Sequence, residues 1–257
     1  MKVDCILTAT NENTLYSDFI PMFIRMWRTL VPTADIKIIY IADEIPFKFK
    51  NYEDNLILFK PIDGINTAFI AQYIRILYPS LFNYEGGVII TDMDMMPMNS
   101  NYYVDNIKDF SNDKFIYYRD WYSPDQIAIC YNIATPKVWK EINGVNSIED
   151  VIEKLKTANN QITYAGTHGG SGWSKDQIDL RKMVWSWKGF STRFIGLRDM
   201  YSGYRRLDRA HFYINQQIED MIRDLQFTDF HAHRPYNQNK HLNDYIADLV
   251  CNGREDI

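Results

Sequence analysis

The sequence predicts an α/β fold with a mostly parallel central sheet flanked by helices. Short runs of β-branched residues alternate with longer segments of helical periodicity in the first part of the chain, an order typical of parallel sheets covered on both faces. The 257 residues are 46% hydrophobic, which is enough for a full core. Because no repeat, low-complexity tract or linker is evident, we expect a single domain over residues 1–257.

The individual helices and strands are predicted from the spacing of apolar residues and from the prolines and polar loops that end each segment. Strands are assigned to short β-branched runs, the first of which ends in a polar loop at residues 11–13. Helices are assigned where apolar residues recur every three to four positions; the first has Pro21 near its start, and the second closes at Tyr78-Pro79. In chain order these are a strand over residues 3–10, a helix over 15–30, strands over 35–42 and 55–60, a helix over 66–77 and a strand over 88–90. The second half of the chain is less regular.

The composition excludes several classes of protein. No stretch approaches the roughly 18 apolar residues of a membrane span, and the first ten residues, MKVDCILTAT, do not resemble a secretory signal. Cys5, Cys130 and Cys251 are scattered and have no CxxC pairing, which predicts free thiols in a reducing compartment. A formal charge of −5 argues against a protein that coats nucleic acid. We therefore expect a soluble cytoplasmic protein.

Two aspartates follow the strand predicted over residues 88–90. Asp92 and Asp94 lie two positions apart, so in an extended segment both side chains point the same way while Met93 points to the other side. At about 6–7 Å the two carboxylates repel by roughly 2–3 kcal/mol, which a divalent cation with oxygen ligands would offset. The alternative is a solvated turn in which the acids only terminate the strand.

Residues 66–99 carry a resemblance to a known family. The stretch NTAFIAQYIRILYPSLFNYEGGVIITDMDMMPMN resembles the central signature of GT-A glycosyltransferases, in which a helix with an arginine leads into a strand and a DxD metal motif. The resemblance implies a Rossmann-like nucleotide-sugar and metal half over residues 1–100 and an acceptor half over 101–257. It implies that Asp92 and Asp94 hold Mn²⁺ or Mg²⁺ against the diphosphate of a nucleotide sugar, with UDP-sugars the expected donors. The residues it places along the nucleoside are Thr8, Ala9 and Thr10.

Arg75 is supported by its position on the helix predicted over residues 66–77. An apolar stripe runs along one face of this helix, and Arg75 lies on another face together with Ala68 and Ala71, which leave room for a ligand. A guanidinium there would neutralise phosphate oxygens or orient an aspartate. The alternative is an ordinary surface arginine.

A glycine-rich loop leads into a predicted helix near residue 175. Trp173 precedes Ser174, a candidate helix cap, and Asp176 and Gln177 fall in the first turn. The order Trp-x-x-Asp-Gln is similar to an element found late in many GT-A enzymes, which makes Asp176 the candidate general base, or else a ligand of the donor sugar. Trp173 would stack on a sugar or base, and the loop predicts that Asp176 lies at a mobile rim. The alternative for Asp176 is a helix-start acid without a catalytic role.

Residues 227–241 contain three of the five histidines. Many GT-A enzymes take a third metal ligand from a histidine near the C-terminus, often before a basic residue and a proline. Arg234-Pro235 follows His233 here, so both His231 and His233 are candidates. We favour His231 because it follows apolar Phe230 at a predicted strand end. Arg234 would assist the leaving diphosphate, and the alternative is a surface histidine pair without a ligand.

Residues 181–210 are strongly basic, with eight lysines and arginines against two aspartates and with interleaved aromatic residues. Such a composition suits a surface that binds phosphates and stacks bases, although it also suits a glycan acceptor or a solvated face. Some viral glycosyltransferases modify hydroxymethylated bases in DNA, and for a viral enzyme the compartment would be the host cytoplasm. Modified DNA is therefore kept beside a glycan as a candidate acceptor.

The predicted function is metal-dependent transfer of a hexosyl or pentosyl group from a nucleotide diphosphate to an acceptor hydroxyl. Asp176 and Arg75 are the candidate catalytic residues. A non-catalytic nucleotide or glycan binder on the same fold is the competing hypothesis. A metal-dependent nucleotidyltransferase or phosphohydrolase would require further carboxylates near the metal, and the sequence shows no convincing third acid.

Overall fold

The computed structural model describes residues 1–120, 123–201, 203–210 and 212–252. The strands are β1 (Val3–Asn11), β2 (Asp35–Ile41), β3 (Leu56–Phe59), β4 (Gly87–Ile90), β5 (Met95–Pro97), β6 (Phe115–Tyr117), β7 (Asn132–Ala134), β8 (Phe194–Gly196), β9 (Arg205–Asp208) and β10 (Phe227–His231). The helices are α1 (Thr14–Ser17), α2 (Ile20–Leu30), α3 (Thr67–Ile74), α4 (Ser100–Tyr103), α5 (Pro136–Asn143), α6 (Ile148–Asn159), α7 (Lys175–Ser186), α8 (Phe190–Arg193), α9 (Gln216–Arg223) and α10 (Lys240–Asn252).

Within the described residues the strands form two sheets. The larger has seven strands in the order β3-β2-β1-β4-β7-β6-β8, parallel except where β7 pairs with β4 and β6. The smaller has the order β5-β10-β9, and β10 is antiparallel to β5 and parallel to β9. This architecture confirms the predicted α/β class and its mostly parallel sheet.

The central strands are buried on both faces, as parallel sheets require. Successive residues alternate between two apolar cores: Ile6 and Ile89 belong to the core on one face, and Leu7 and Ile90 to the core on the other. The glycine that begins β4 allows this close packing, since a Cβ at Gly87 would lie 2.4 Å from the side chain of Ile133 on β7. The three cysteines are buried and free, as predicted.

The predicted strands of the first half are confirmed, but the single helix predicted over residues 15–30 is wrong. The chain forms α1, leaves the helix at Asp18, and starts again at α2 with Pro21 in the first turn. Proline has no N–H for the preceding turn, so it is favoured at a helix start and breaks a helix interior. Within the described residues no helix combines the length and apolar character that crossing a membrane requires.

A buried ion pair joins the two sheets. Arg119, which follows β6, is fully buried and donates to Asp229 of β10 at 2.8 Å and to Asp199 at 3.2 Å. Asp229 also accepts from Arg206 of β9 at 3.2 Å. Burial opposes ionisation of Asp229, yet Arg119 and Arg206 hold its pKa below its usual value, so the carboxylate stays charged. The contact between the two sheets therefore includes a largely buried charge cluster beside the apolar core that the strands of the small sheet share.

We expect Asp229→Ala to lower the free energy of unfolding by about 3–5 kcal/mol, because it leaves the buried Arg119 without its nearest counter-charge. Urea denaturation monitored by circular dichroism measures the change. The matched control is Asp105→Ala, which removes the exposed pair with Lys108 and should cost less than about 0.5 kcal/mol. A loss below about 1 kcal/mol for Asp229→Ala would contradict the role given to this pair.

Candidate functional site

A cavity of about 700 Å³ lies where β1 and β4 end. Ligands of open α/β sheets bind beyond the carboxyl ends of the strands, and this volume is in the range of small-molecule sites. Both halves of the chain line it, from Ala9 and Thr10 at the end of β1 to Arg234 after β10. Every residue predicted for the site lines this cavity except Thr8 and His233.

Arg75 connects the helix, the strand end and the late acid. It is the residue that ends α3, and it is 5% exposed. Its guanidinium binds the carboxylate of Asp92, donates to the carbonyl of Thr91 at 3.0 Å and reaches Asp176 at 3.3 Å. Burial opposes the charge on Arg75, but Asp92 and Asp176 raise its pKa, so it stays a cation. It is a buried residue of the site, not an ordinary surface arginine.

The two aspartates after β4 are arranged differently from the expected extended pair. The chain turns at Met93 and Asp94, so Asp92, Met93 and Asp94 all line the cavity. Asp92 is partly exposed and faces Arg75, whereas Asp94 is nearly buried. Asp94 directly precedes β5, which begins at Met95, so it lies at the edge of the small sheet where β5 starts.

Strand register in the small sheet brings His231 to Asp94. His231 of β10 is paired with Met95 on one side and with Asp208 of β9 on the other. Its Nε2 lies 3.3 Å from Asp94 Oδ2, and its Nδ1 lies 3.1 Å from Asp208 Oδ2. Burial opposes protonation, but the bond to Asp94 raises the pKa of His231.

The side chains present fit a divalent cation by donor type. Asp92 and Asp94 offer carboxylate oxygens, and His231 offers a ring nitrogen whose opposite side is bonded to Asp208, the arrangement that commonly orients metal-binding histidines. As the described side chains stand, no group of three or more histidine, cysteine, aspartate or glutamate residues is arranged to hold a metal. The physical reason is that both acids face cations: Asp92 binds Arg75, and Asp94 binds Arg209.

Asp94 is neutralised from several directions. Its Oδ2 lies 3.0 Å from Arg209 Nη1 and 3.3 Å from Arg234 Nε, in addition to the contact with His231. Burial opposes ionisation, but His231, Arg234 and Arg209 hold the pKa of Asp94 far below its usual value. Arg234 is held in turn by Tyr16, whose hydroxyl accepts from the guanidinium and whose ring lies 5.1 Å below it.

Asp176 lies in the first turn of α7, as predicted, but not at a mobile rim. It is 4% exposed and lines the cavity beside Arg75. Burial raises its pKa to about 7; Arg75 lowers the pKa and the charge of Asp92 raises it, so the guanidinium offsets the loss of water only in part. Ser174 is the residue before α7, yet its side chain makes no capping bond; Asp176 Oδ1 instead accepts from the Gln177 N–H at 2.9 Å.

Aromatic side chains line the cavity beside the glycine-rich loop. The ring of Trp173 lies 5.2 Å from that of His168, and both line the cavity. Tyr164 lies nearby and donates to Gln72 of α3 at 2.7 Å. Aromatic faces of this kind pack against the apolar side of a sugar ring or a base.

Thr8 and His233 are the predicted residues that the structure places outside the cavity lining. Thr8 is fully buried inside β1, where its hydroxyl is out of reach of a ligand. His233 packs against Phe212 and Phe230, its backbone is bonded to Asn243, and burial lowers its pKa. Of the two candidate histidines, the one that lines the cavity among the described residues is therefore His231.

Sequence reasoning missed several residues of the lining. Asn11 ends β1 and Asn13 follows it, in a segment that the sequence marks only as polar, and Tyr16 falls within the helix predicted over residues 15–30. Arg209 was counted only within the basic segment. The signal for Arg209 lies in the pairing of β9 with β10, which the sequence does not reveal.

Three arginines of the basic segment over residues 181–210 are paired with acids of the same chain. Ser202 of this segment lies outside the described residues. Arg193 pairs with Glu141, Arg206 with Asp229, and Arg209 with Asp94. Several of its aromatic residues pack against one another beside the core, namely Trp185, Phe190 and Phe194.

Solved structures of glycosyltransferases resemble this one. Galactosyltransferase LgtC in complex with donor and acceptor sugar analogues is 12% identical, with 96% of each chain covered and a TM-score of 0.50. An active-site mutant of LgtC is 11% identical, with the same coverage and a TM-score of 0.51. The glycosyltransferase GlyE of Streptococcus pneumoniae TIGR4 is 13% identical at a TM-score of 0.51; the match covers 98% of this chain and 63% of GlyE, so this chain spans less than two thirds of that protein.

No protein-family profile matches the chain, and no curated protein matches its sequence. At identities of 11–13% the structural likeness is evidence of fold. The chain has the GT-A-like α/β fold of these glycosyltransferases, with a mostly parallel seven-stranded sheet among its described residues.

Proposed function

We propose that the chain is a metal-dependent glycosyltransferase that moves a sugar from a nucleotide-diphosphate donor, expected to be a UDP-sugar, to an acceptor hydroxyl. The observation that carries the proposal is the contact of buried Arg75 with both Asp92 and Asp176 at the end of β4. This contact joins Asp92, a candidate metal ligand, to Asp176, the candidate base. The fold, which is that of LgtC and GlyE, supports glycosyl transfer as the class of reaction.

The donor side is assigned to residues 1–100 together with the end of β10. Ala9 and Thr10 would contact the nucleoside, since they line the cavity where β1 ends. Asp92, Asp94 and His231 would hold Mn²⁺ or Mg²⁺, and Arg234 would contact the diphosphate. A cation there acts as a Lewis acid that stabilises charge on the leaving diphosphate.

The acceptor side is assigned to the start of α7 and the loop before it. During transfer the bond from the anomeric carbon to the diphosphate breaks, the diphosphate leaves with the electron pair, and a bond to the acceptor oxygen forms. Asp176 would take the acceptor proton, because a carboxylate with a pKa of about 7 is a competent base near neutral pH. Gln177, which lines the cavity next to Asp176, would contact the donor sugar. If Asp176 is instead a ligand of the donor sugar, its substitution should weaken donor binding.

A glycan fits the acceptor side better than DNA does. Trp173, His168 and Tyr164 provide aromatic surfaces within the cavity, as expected for a sugar. The basic segment that suggested a polyanion has several of its arginines in ion pairs with acids of the same chain. The salt dependence of transfer separates the two acceptors, because each neutralised phosphate adds roughly 0.7–0.9 to the slope of log affinity against log salt.

We expect Asp94→Asn to lower Mn²⁺-dependent donor turnover by roughly a hundredfold or more, since it removes a charged ligand while the fold is retained. Hydrolysis or transfer assays with a panel of sugar nucleotides measure the effect, and a thermal melt checks folding. Asp105→Asn, at an exposed acid outside the cavity lining, is the control. Unchanged turnover in Asp94→Asn, or full activity in EDTA, would contradict the metal assignment.

Asp176→Asn tests the base. If Asp176 accepts the acceptor proton, the variant should lose transfer while calorimetry shows donor affinity close to that of the native protein. Loss of donor binding would make Asp176 a sugar ligand instead. Near-normal transfer would show that the acid serves only the helix start. Donor binding without any transfer by the native protein, across the acceptor panel, would support a non-catalytic binder.

The raised pKa of Asp176 also predicts a pH-dependent contribution to stability. Its folded-state pKa of about 7 exceeds the ordinary value of 3.8, so the folded protein binds this proton more tightly than the unfolded chain. The resulting stabilisation is complete below the ordinary value and is lost as the pH rises through about 7. Asp176→Asn cannot take up this proton, so the stability of the native protein relative to the variant should fall between about pH 4 and pH 7 in urea denaturation. A difference that does not change with pH would contradict the shift.

A further inference from the structure

One oxygen of Asp94 is in contact with three basic side chains. Arg209 Nη1, Arg234 Nε and His231 Nε2 all approach the same atom, Oδ2, at 3.0–3.3 Å. Among the described residues that line the cavity, the aspartates Asp92, Asp94 and Asp176 are matched in number by the arginines Arg75, Arg209 and Arg234. The cavity is therefore close to neutral before any ligand enters.

Arg209 is held within reach of both Asp94 and the cavity. It follows β9, and its Nη1 donates to the carbonyl of Ala232 at 2.6 Å as well as to Asp94. Both bonds use Nη1, whereas a guanidinium carries three further N–H groups on Nε and Nη2. Its side chain is 19% exposed and lines the cavity, so those groups can reach a ligand.

We propose that Arg209 is a diphosphate-binding residue that Asp94 holds until a divalent cation and a nucleoside diphosphate arrive together. This inference rests on the proposed function and adds a residue to it. A cation on Asp94 alone is repelled by Arg209, which keeps its charge but loses its anion. A diphosphate alone brings no cation to replace Arg209 at Asp94, so Arg209 stays bonded to that carboxylate. When both ligands enter, Asp94 exchanges Arg209 for the cation, and Arg209 exchanges Asp94 for a phosphate oxygen.

The exchange requires the two ligands to strengthen each other. By linkage, the factor by which Mn²⁺ raises the affinity for the diphosphate equals the factor by which the diphosphate raises the affinity for Mn²⁺. Arg209 contributes to that factor twice, because it opposes Mn²⁺ on its own and binds the diphosphate when Mn²⁺ is present. Substitution of a residue that only stabilised the fold would lower the affinity for both ligands or for neither.

The test uses Arg209→Gln, Arg209→Lys and native protein with two probes, Mn²⁺ and UDP. Electron paramagnetic resonance measures the concentration of free Mn²⁺ and so gives the Mn²⁺ affinity in the absence of UDP. Calorimetry measures the UDP affinity with and without saturating Mn²⁺. The matched control is Arg193→Gln, since Arg193 is similarly exposed (24% of its side chain) and is also paired with acids, but lies outside the cavity lining. Thermal melts confirm that each variant folds.

We expect Arg209→Gln to bind Mn²⁺ alone several-fold more tightly and to bind UDP in saturating Mn²⁺ roughly ten- to a hundredfold more weakly. Arg209→Lys keeps the charge and should retain the native Mn²⁺ affinity, with an intermediate loss for UDP. Arg193→Gln should match the native protein.

Two results would overturn the inference, and they are distinguishable from failure of the proposed function. If Arg209→Gln binds both probes as the native protein does, Arg209 takes no part in the exchange. If Arg209→Gln binds both Mn²⁺ and UDP more weakly than the native protein does, Arg209 only maintains the structure of the site. If the native protein binds neither UDP nor any other nucleoside diphosphate in the presence of Mn²⁺, the proposed function itself is wrong.

Discussion

Arg75 is a buried cation that two other parts of the chain neutralise. An unpaired charge in the interior costs several kcal/mol, so the segment after β4 and the start of α7 have to meet at the end of α3, which carries Arg75. That requirement places Asp92 and Asp176 at one cavity although they are far apart in the sequence. The residues proposed for the metal and for the acceptor proton are thus positioned by the same guanidinium.

The balance of charge in the cavity suits the doubly charged cation and the diphosphate that we propose as its ligands. Arg75, Arg209 and Arg234 offset the acids when no ligand is bound, so the fold does not depend on a metal to neutralise them. A nucleoside diphosphate with its cation adds charges of both signs and leaves this balance nearly unchanged. The register of β10 against β5 and β9 positions the third proposed metal ligand, since it sets His231 between Asp94 and Asp208.

The part of the site that local sequence encodes could be predicted. Asp92 and Asp94 follow an apolar run, and Arg75 lies on a helix with small neighbours; these patterns single out the positions, and the resemblance to GT-A glycosyltransferases supplies the roles proposed for them. The role of Arg209 could not be predicted, because its contact with Asp94 depends on strand pairing between distant segments. The sequence favours His231 over His233 from its place at a predicted strand end, and the structure places His231 in the cavity lining. The basic segment looked like a surface because the acids that pair with three of its arginines lie outside the segment.

Anomalous diffraction from manganese, in crystals of the protein with Mn²⁺ and UDP, is the most direct test of the central claim. The account predicts a single strong peak in the cavity, bound by Asp92, Asp94 and the Nε2 of His231 at roughly 2–2.3 Å and in contact with the diphosphate. A peak at other side chains, or UDP bound while Asp94 keeps its contacts with Arg209 and Arg234, would contradict it.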